Sequence, residues 1–232
     1  MSSLVKPSEL CRLVVLISGN GTNLQAIIDA CATQEMPAKV AAVISNEPAA
    51  YGLQRARDAG ISTHVINHRD FDRRTDFDER LKGLIDALEP GLVVLAGFMR
   101  ILGLDLTEHF LGRMMNIHPS LLPDYPGLNT HARVLADGVN EHGASVHFVT
   151  SELDAGPIIL QSRISVQADD TPSTLAERVH QREYEIYPRA IAWFAMGRLH
   201  LEASIAYLDG APIKACVSLD WPQPSGKHSG QQ

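Results

Sequence analysis

Along its first half the chain alternates short uninterrupted apolar runs with stretches whose apolar positions recur every three or four residues. The runs at 13–18, 40–45, 63–66 and 92–96 have the length of strands, and the first, aliphatic and β-branched, is of the kind buried on both faces. Between them Leu24, Ile27, Ile28 and Cys31 fall at helical spacing. Further helices are predicted at 49–59, closed by Gly60, and at 75–88, closed by Pro90. Strands alternating with helices mean βαβ units, so the pattern predicts an α/β fold: a mostly parallel twisted sheet with helices on both faces. A helix at 105–111, a strand at 114–117 and a short helix at 131–138 follow.

The pattern then changes. Runs at 144–150 and 157–166 are separated only by a turn, which predicts an antiparallel C-terminal portion. Thr171-Pro172 is an N-cap followed by proline at the first helical position, opening a helix through about 194 that Pro188 is expected to kink or break. Short strands are expected at 199–203 and 205–208. There is no internal repeat. The expected organisation is a loose arm at 1–11, one domain at 12–210 with halves at 12–112 and 113–210, and a tail at 211–232 whose polar end, 222–232, is expected to be disordered.

Composition narrows the function. A formal charge of −7 with a pI near 5.8 argues against a nucleic-acid binder. The three cysteines are odd in number and far apart, which suggests neither a disulfide framework nor a zinc site and points to a reducing compartment. The apolar run at 13–17 is too short for a membrane span or a signal-peptide core, so the expected location is the cytoplasm.

The densest chemistry lies between 114 and 154. Residues two apart on a strand share a face, so Asn116 and His118 point one way and Ile117 the other. Pro119 ends the strand with His118 at its mouth, and Pro123, Pro126 and Gly127 keep the following loop irregular but stiff. The turn after the next strand offers Asp154. An amide, an imidazole and a carboxylate within reach make a proton shuttle with an oxyanion donor attached; the plain alternative is a hydrogen-bonded structural histidine.

Two other stretches bear on ligands. Ser18-Gly19-Asn20-Gly21-Thr22-Asn23 places two glycines between a strand and a helix N-terminus, a cradle for an anion. Leu24 stands where a dinucleotide fingerprint has its third glycine, and the lysine of a P-loop is missing, so a monophosphate fits best. The apolar segment Phe98-Met99-Arg100-Ile101-Leu102 follows a buried strand at the sheet's carboxyl edge and suits a flat heteroaromatic ring, or else packs under a neighbouring helix. His64 with His68, and His142 with His147, lack the spacing of a metal clamp, and the acidic run at 76–86 reads as a solvated helix face.

Taken together, SGNGTNLQAIIDA at 18–30, VVLAGFMRIL at 93–102, NIHPSLLPDYPGLNTH at 116–131 and GASVHFVTSELDAGPIILQ at 143–161 closely resemble the glycinamide ribonucleotide formyltransferases. The resemblance runs over about 13–209. It implies a Rossmann-like formyltransferase fold, a phosphate-binding first half and a catalytic, folate-binding second half. It also implies transfer of a formyl group from 10-formyltetrahydrofolate to glycinamide ribonucleotide, with no metal, no nucleic-acid or membrane partner, and a monomer or homodimer. By position it assigns catalysis to Asn116, His118 and Asp154, and the ribonucleotide to Gly21, Thr22, Asn23 and Glu183. The folate falls to Arg74, Met99, Arg100, Ile101, Leu102, Asn116 and the loop Thr150, Ser151, Glu152, Leu153, Asp154. Asn129 stands where some members have histidine and receives no chemical role. The rival readings are a formyltetrahydrofolate deformylase, whose relatives carry a regulatory domain ahead of this part; a methionyl-tRNA formyltransferase, which carries a basic tRNA-binding domain; a non-catalytic nucleotide- or folate-binding module; and, more weakly, a dehydrogenase.

Overall fold

The computed structural model describes residues 10–33, 36–213 and 217–219. In chain order its elements are β1 (Cys11–Ile17), α1 (Thr22–Ala32), β2 (Ala38–Ser45), α2 (Tyr51–Asp58), β3 (Ser62–Val65), α3 (Arg74–Ala87), β4 (Leu92–Leu95), α4 (Leu104–His109), β5 (Met114–His118), α5 (Thr130–Asp137), β6 (Glu141–Phe148), β7 (Ile158–Ser165), α6 (Pro172–Ala195), β8 (Leu199–Glu202), β9 (Ile205–Leu208), β10 (Ala211–Pro212) and β11 (Val217–Leu219). The main sheet has the order β11-β7-β6-β5-β4-β1-β2-β3, and β8, β9 and β10 form a small antiparallel sheet. Within the main sheet β6 alone runs against its neighbours, pairing antiparallel with both β5 and β7. The expected α/β class is therefore present, with its antiparallel portion where the pattern changed.

Alternation along β1 builds a core on each face. Leu13, Val15 and Ile17 meet Leu24 and Ile27 of α1 and the inner stripe of α6, while Val14 and Leu16 meet Phe77, Leu81 and Ile85 of α3 and Leu106 of α4. The connections after the neighbouring strands β1 and β4 leave for opposite faces of the sheet, α1 to one and α4 to the other, which opens a crevice at their carboxyl ends, where open α/β sheets bind ligands.

Three boundaries differ from expectation. The sequence pattern places an arm up to residue 11, but Cys11 opens β1, its N–H bonded to the Pro37 carbonyl (2.9 Å); residues 1–9 of the arm, and the tail end at 222–232, lie outside the described residues. The tail was drawn from 211, yet 211–212 extends the small sheet and 217–219 pairs in parallel with β7, whose outer edge otherwise offers unpaired backbone groups. Finally, α6 runs through Pro188 unbroken. Its start carries a Thr171/Thr174 capping box, and its buried stripe is held by the Tyr187 hydroxyl, which sits 2.9 Å from the Leu95 carbonyl and 3.0 Å from that of Met115. Tertiary packing of this kind outweighs the roughly 3 kcal/mol cost of an internal proline.

Candidate active site

Strand β5 turns Met115 and Ile117 into the core beneath α6 and leaves Asn116 and His118 on the opposite face. Antiparallel register sets Asn116 beside His147 and His118 beside Ser145 on β6. The loop after His118 is fastened to the sheet by a buried network. Ser145 Oγ donates to the Ser120 carbonyl (2.6 Å) and accepts from the Leu122 N–H (3.0 Å), while Gln161 Nε2 donates to the Leu122 carbonyl (2.8 Å) and to Ser145 Oγ (2.7 Å). Leu122–Pro123 is cis. The prolines make this loop irregular; Ser145 and Gln161 make it fixed.

Asp154 arrives from the turn between β6 and β7 with a left-handed backbone (φ 53°), a conformation short polar side chains tolerate best. The turn can close because residue 156 is glycine: a Cβ there would lie 1.8 Å from the Phe148 carbonyl oxygen. Asp154 Oδ2 accepts the Gly127 N–H (2.9 Å) and stands 3.4 Å from His118 Nδ1, an ion-pair separation with both side chains 7 % exposed. His118 Nε2 lies 2.9 Å from the Tyr125 carbonyl, which only accepts, so that nitrogen carries a proton. The imidazole is thus held from both sides by the two loops it lies between.

Around this trio opens a cleft of about 520 Å³. Asn116, His118 and Asp154 line it together with Met99, Arg100, Ile101 and Leu102 and the whole of Thr150, Ser151, Glu152, Leu153. Met99, Ile101, Leu128 and Leu153 are each more than half exposed, an apolar rim that a protein without a ligand to cover it rarely shows. Of the residues expected to meet the folate, Arg74 stands apart: it begins α3 with Nε 3.7 Å from Asp78 Oδ2 and is not part of the cleft lining. Among the described residues no three His, Cys, Asp or Glu side chains converge as a metal would require, and no helix is long and apolar enough to cross a membrane.

The glycine loop lies at the end of β1. Gly21 caps α1 with φ 73°, and a Cβ on it would sit 2.6 Å from the Cα of Gly52 on α2, so backbone meets backbone there. Thr22 and Asn23 are the first residues of α1, and Asn23 Nδ2 donates to Glu183 Oε2 (2.7 Å). Loop and Glu183, 160 residues apart, are therefore brought together. Burial raises the Glu183 pKa against the opposing pull of Asn23 and the smaller ones of His180 and His118. Ser18, Gly19 and Asn20 border a second, more open hollow of about 680 Å³ shared with His68, Arg69 and Arg100.

Sequence reasoning missed His147, His131, Ser145 and Gly52. In the sequence His147 stands out only as half of a candidate metal pair with His142; its signal is a histidine flanked by Val146 and Phe148 near the end of a strand. His131 Nδ1 lies 3.0 Å from His142 Nε2, and the pKa of each is pushed down to about 4. Burial is the chief cause for both; His180 and then His118 add to it for His131, and His131 and then His118 for His142.

An α/β sheet with helices on both faces, and an amide, an imidazole and a carboxylate brought together by β5 and the β6–β7 turn, defines a cleft for acid–base chemistry. The chain belongs to the formyl transferase family, which it matches over residues 11–191. It is 54 % identical over 198 residues to phosphoribosylglycinamide formyltransferase of Escherichia coli, covering 85 % of this chain and 93 % of that one. It is 45 % identical over 190 residues to the human trifunctional purine biosynthetic protein adenosine-3, covering 82 % of this chain and 19 % of that one. The structure of the Coxiella burnetii phosphoribosylglycinamide formyltransferase in complex with CHES superposes with a TM-score of 0.87 at 54 % identity, over 91 % of this chain and 100 % of that one.

Proposed function

We propose that the protein transfers the formyl group of 10-formyltetrahydrofolate to the amine of glycinamide ribonucleotide, a step of purine biosynthesis. The observation that carries this reading is the convergence of Asn116, His118 and Asp154 in a cleft with an apolar rim, beside a glycine loop tied to Glu183. The donor supplies the carbonyl carbon at which the amine adds and a nitrogen that leaves. Met99 to Leu102 and the 150–154 loop hold its flat ring system, and Gly21, Thr22 and Asn23 hold the ribonucleotide's phosphate at the α1 N-terminus with Glu183 at the sugar hydroxyls. Arg74, outside the cleft lining, has no part in this proposal.

As the amine adds, negative charge grows on the formyl oxygen, and the Asn116 amide donates an N–H to it. The attacking nitrogen must lose a proton and the leaving nitrogen must gain one. His118 carries that proton, and Asp154 keeps the ring oriented and balances its positive charge. The Nε2 proton rests on the Tyr125 carbonyl, so the loop at 119–129 stores it until substrate offers a better acceptor. Acid–base groups of this kind contribute about 10²- to 10⁴-fold each.

The test follows formyl release from 10-formyltetrahydrofolate by absorbance, without and then with glycinamide ribonucleotide. Release that requires the ribonucleotide and yields its formylated product is the expected result. Release to water alone identifies a deformylase, and no release in either condition identifies a binding module; each refutes the proposal.

A further inference from the structure

His147, next to last in β6, is 2 % exposed, a place where an apolar side chain is the ordinary occupant. Both of its ring nitrogens are taken. Nδ1 lies 2.9 Å from the Phe148 carbonyl oxygen, which can only accept, so Nδ1 carries a proton. Nε2 lies 3.1 Å from Asn116 Nδ2, and an amide nitrogen can only donate, so Nε2 is bare. A single neutral tautomer satisfies both contacts. Burial, with help from the nearby His118 charge, holds the His147 pKa down, against smaller opposing effects of the Phe148 carbonyl and Asp154. Asp154 Oδ1 stands 3.9 Å from the same Nε2, so the ring is bonded to one member of the trio and lies beside another.

We infer that His147 is a positioning residue: as its neutral Nδ1–H tautomer it fixes the Asn116 amide with the nitrogen towards the ring, leaving the second N–H for the cleft that Asn116 lines. An asparagine amide has two orientations of nearly equal shape, related by exchange of its oxygen and nitrogen. A bare ring nitrogen accepts one of them and repels the other, because the amide oxygen would set lone pair against lone pair. The amide oxygen in the place of the N–H would repel a growing oxyanion, so the selection made by His147 is passed to the reacting centre. A strand-buried histidine serving only as core would need no such partner. The inference rests on the formyl-transfer reading, since the orientation of Asn116 matters only if its N–H does chemistry.

The test is a double-mutant cycle on the full chain, with kcat and both KM values measured for wild type, His147→Phe, Asn116→Ala and the double variant. His147→Phe is expected to lower kcat roughly ten- to hundredfold, less than loss of the donor itself, with both KM values nearly unchanged. In the Asn116→Ala background the same change is expected to cost nothing further, because the group it orients is gone. His147→Gln, which keeps an acceptor, is expected to recover part of the loss. Additive effects, or a folded His147→Phe with wild-type kcat, overturn the inference. Nitrogen-15 spectra of the wild-type imidazoles test it without any variant: a proton on His147 Nε2 at neutral pH also overturns it. A wild-type protein that fails to formylate the ribonucleotide defeats the functional reading instead, and the nitrogen spectrum still reports the tautomer by itself.

Discussion

The two ends of the site are built from different materials. At the end of β1 the glycine loop is a backbone surface, where Gly21 touches Gly52 and the helix N-terminus presents its N–H groups. At β5 and β6 the working surface is made of side chains, each held by a specific partner: Asn116 by the His147 ring, His118 by the Tyr125 carbonyl and the Asp154 carboxylate, Asp154 by the Gly127 N–H. A backbone surface should tolerate almost any change of chemistry and almost no added bulk. A side-chain surface should tolerate changes of bulk better than changes of charge or hydrogen-bonding sense. The difference predicts which kinetic constant each end controls.

The largest effect is expected from Asp154→Asn. Asparagine tolerates the left-handed backbone at this position and retains an oxygen for the Gly127 N–H, so the fold survives while the charge opposite His118 is lost. Turnover is expected to fall on the order of 10³-fold with KM values changed little, because the missing interaction matters chiefly in the transition state. Steady-state kinetics decide it, and near-normal kcat in the variant would remove Asp154 from the mechanism.

Gly21→Ala probes the other end. The new methyl would need the αL conformation and would lie 2.6 Å from the Gly52 Cα, neither relieved by turning a side chain. We expect a loss of about 2 to 4 kcal/mol of stability, combining the left-handed penalty with overpacking. What activity remains should show a raised KM for the ribonucleotide and a nearly unchanged kcat. A fall in kcat alone would contradict the division between the two ends.

Between the two lies the loop at 119–129, and Ser145→Ala tests what keeps it in place. The substitution strips a partner from the Leu122 N–H and the Ser120 carbonyl, both buried, at a cost of about 1 to 3 kcal/mol. Turnover should drop less than in Asp154→Asn, and hydrogen exchange at 119–125 should quicken. Unchanged exchange there would mean the prolines alone hold the loop.

The same contrast explains what the sequence made legible. Apolar runs and helical spacing give the parallel half because its central strands β1 and β4 are buried on both faces, and glycine positions give the cradle because φ is a local property. Asn116 and His118 are readable as a pair two apart on one strand. Their partners are not local: His147 lies 31 residues from Asn116, Gln161 lies 39 from Leu122, and Glu183 lies 160 from Asn23. Nothing in the spacing of a single chain says that β6 sets His147 opposite Asn116, since a slip of one residue would turn that ring to the other face. Pro188 misled for a related reason, its local cost being set against packing that only the finished sheet supplies. The matching of 217–219 to β7 likewise depends on an edge that forms late in the chain.

The smallest effect expected on turnover at neutral pH concerns the histidine pair beside the trio. His131 and His142 share one proton across 3.0 Å, and each titrates near 4 in the folded protein against 6.5 for the ordinary side chain. As pH falls, an unfolded chain therefore takes up these protons first and the native state does not follow. The stability that the neutral pair contributes is complete above about pH 6.5 and is lost between about 6.5 and 4. Thermal melts across that interval should show Tm falling by a few degrees for each kcal/mol lost, on the order of 2–4 °C in a chain of this size. His131→Asn retains a hydrogen-bonding group opposite His142 but cannot take a proton, so its Tm should fall less steeply over the same interval while kcat at neutral pH stays close to wild type. An equal slope in the variant would show that the pair does not act as a unit. It would also show that the acid sensitivity over this interval lies in other groups that take up protons within it.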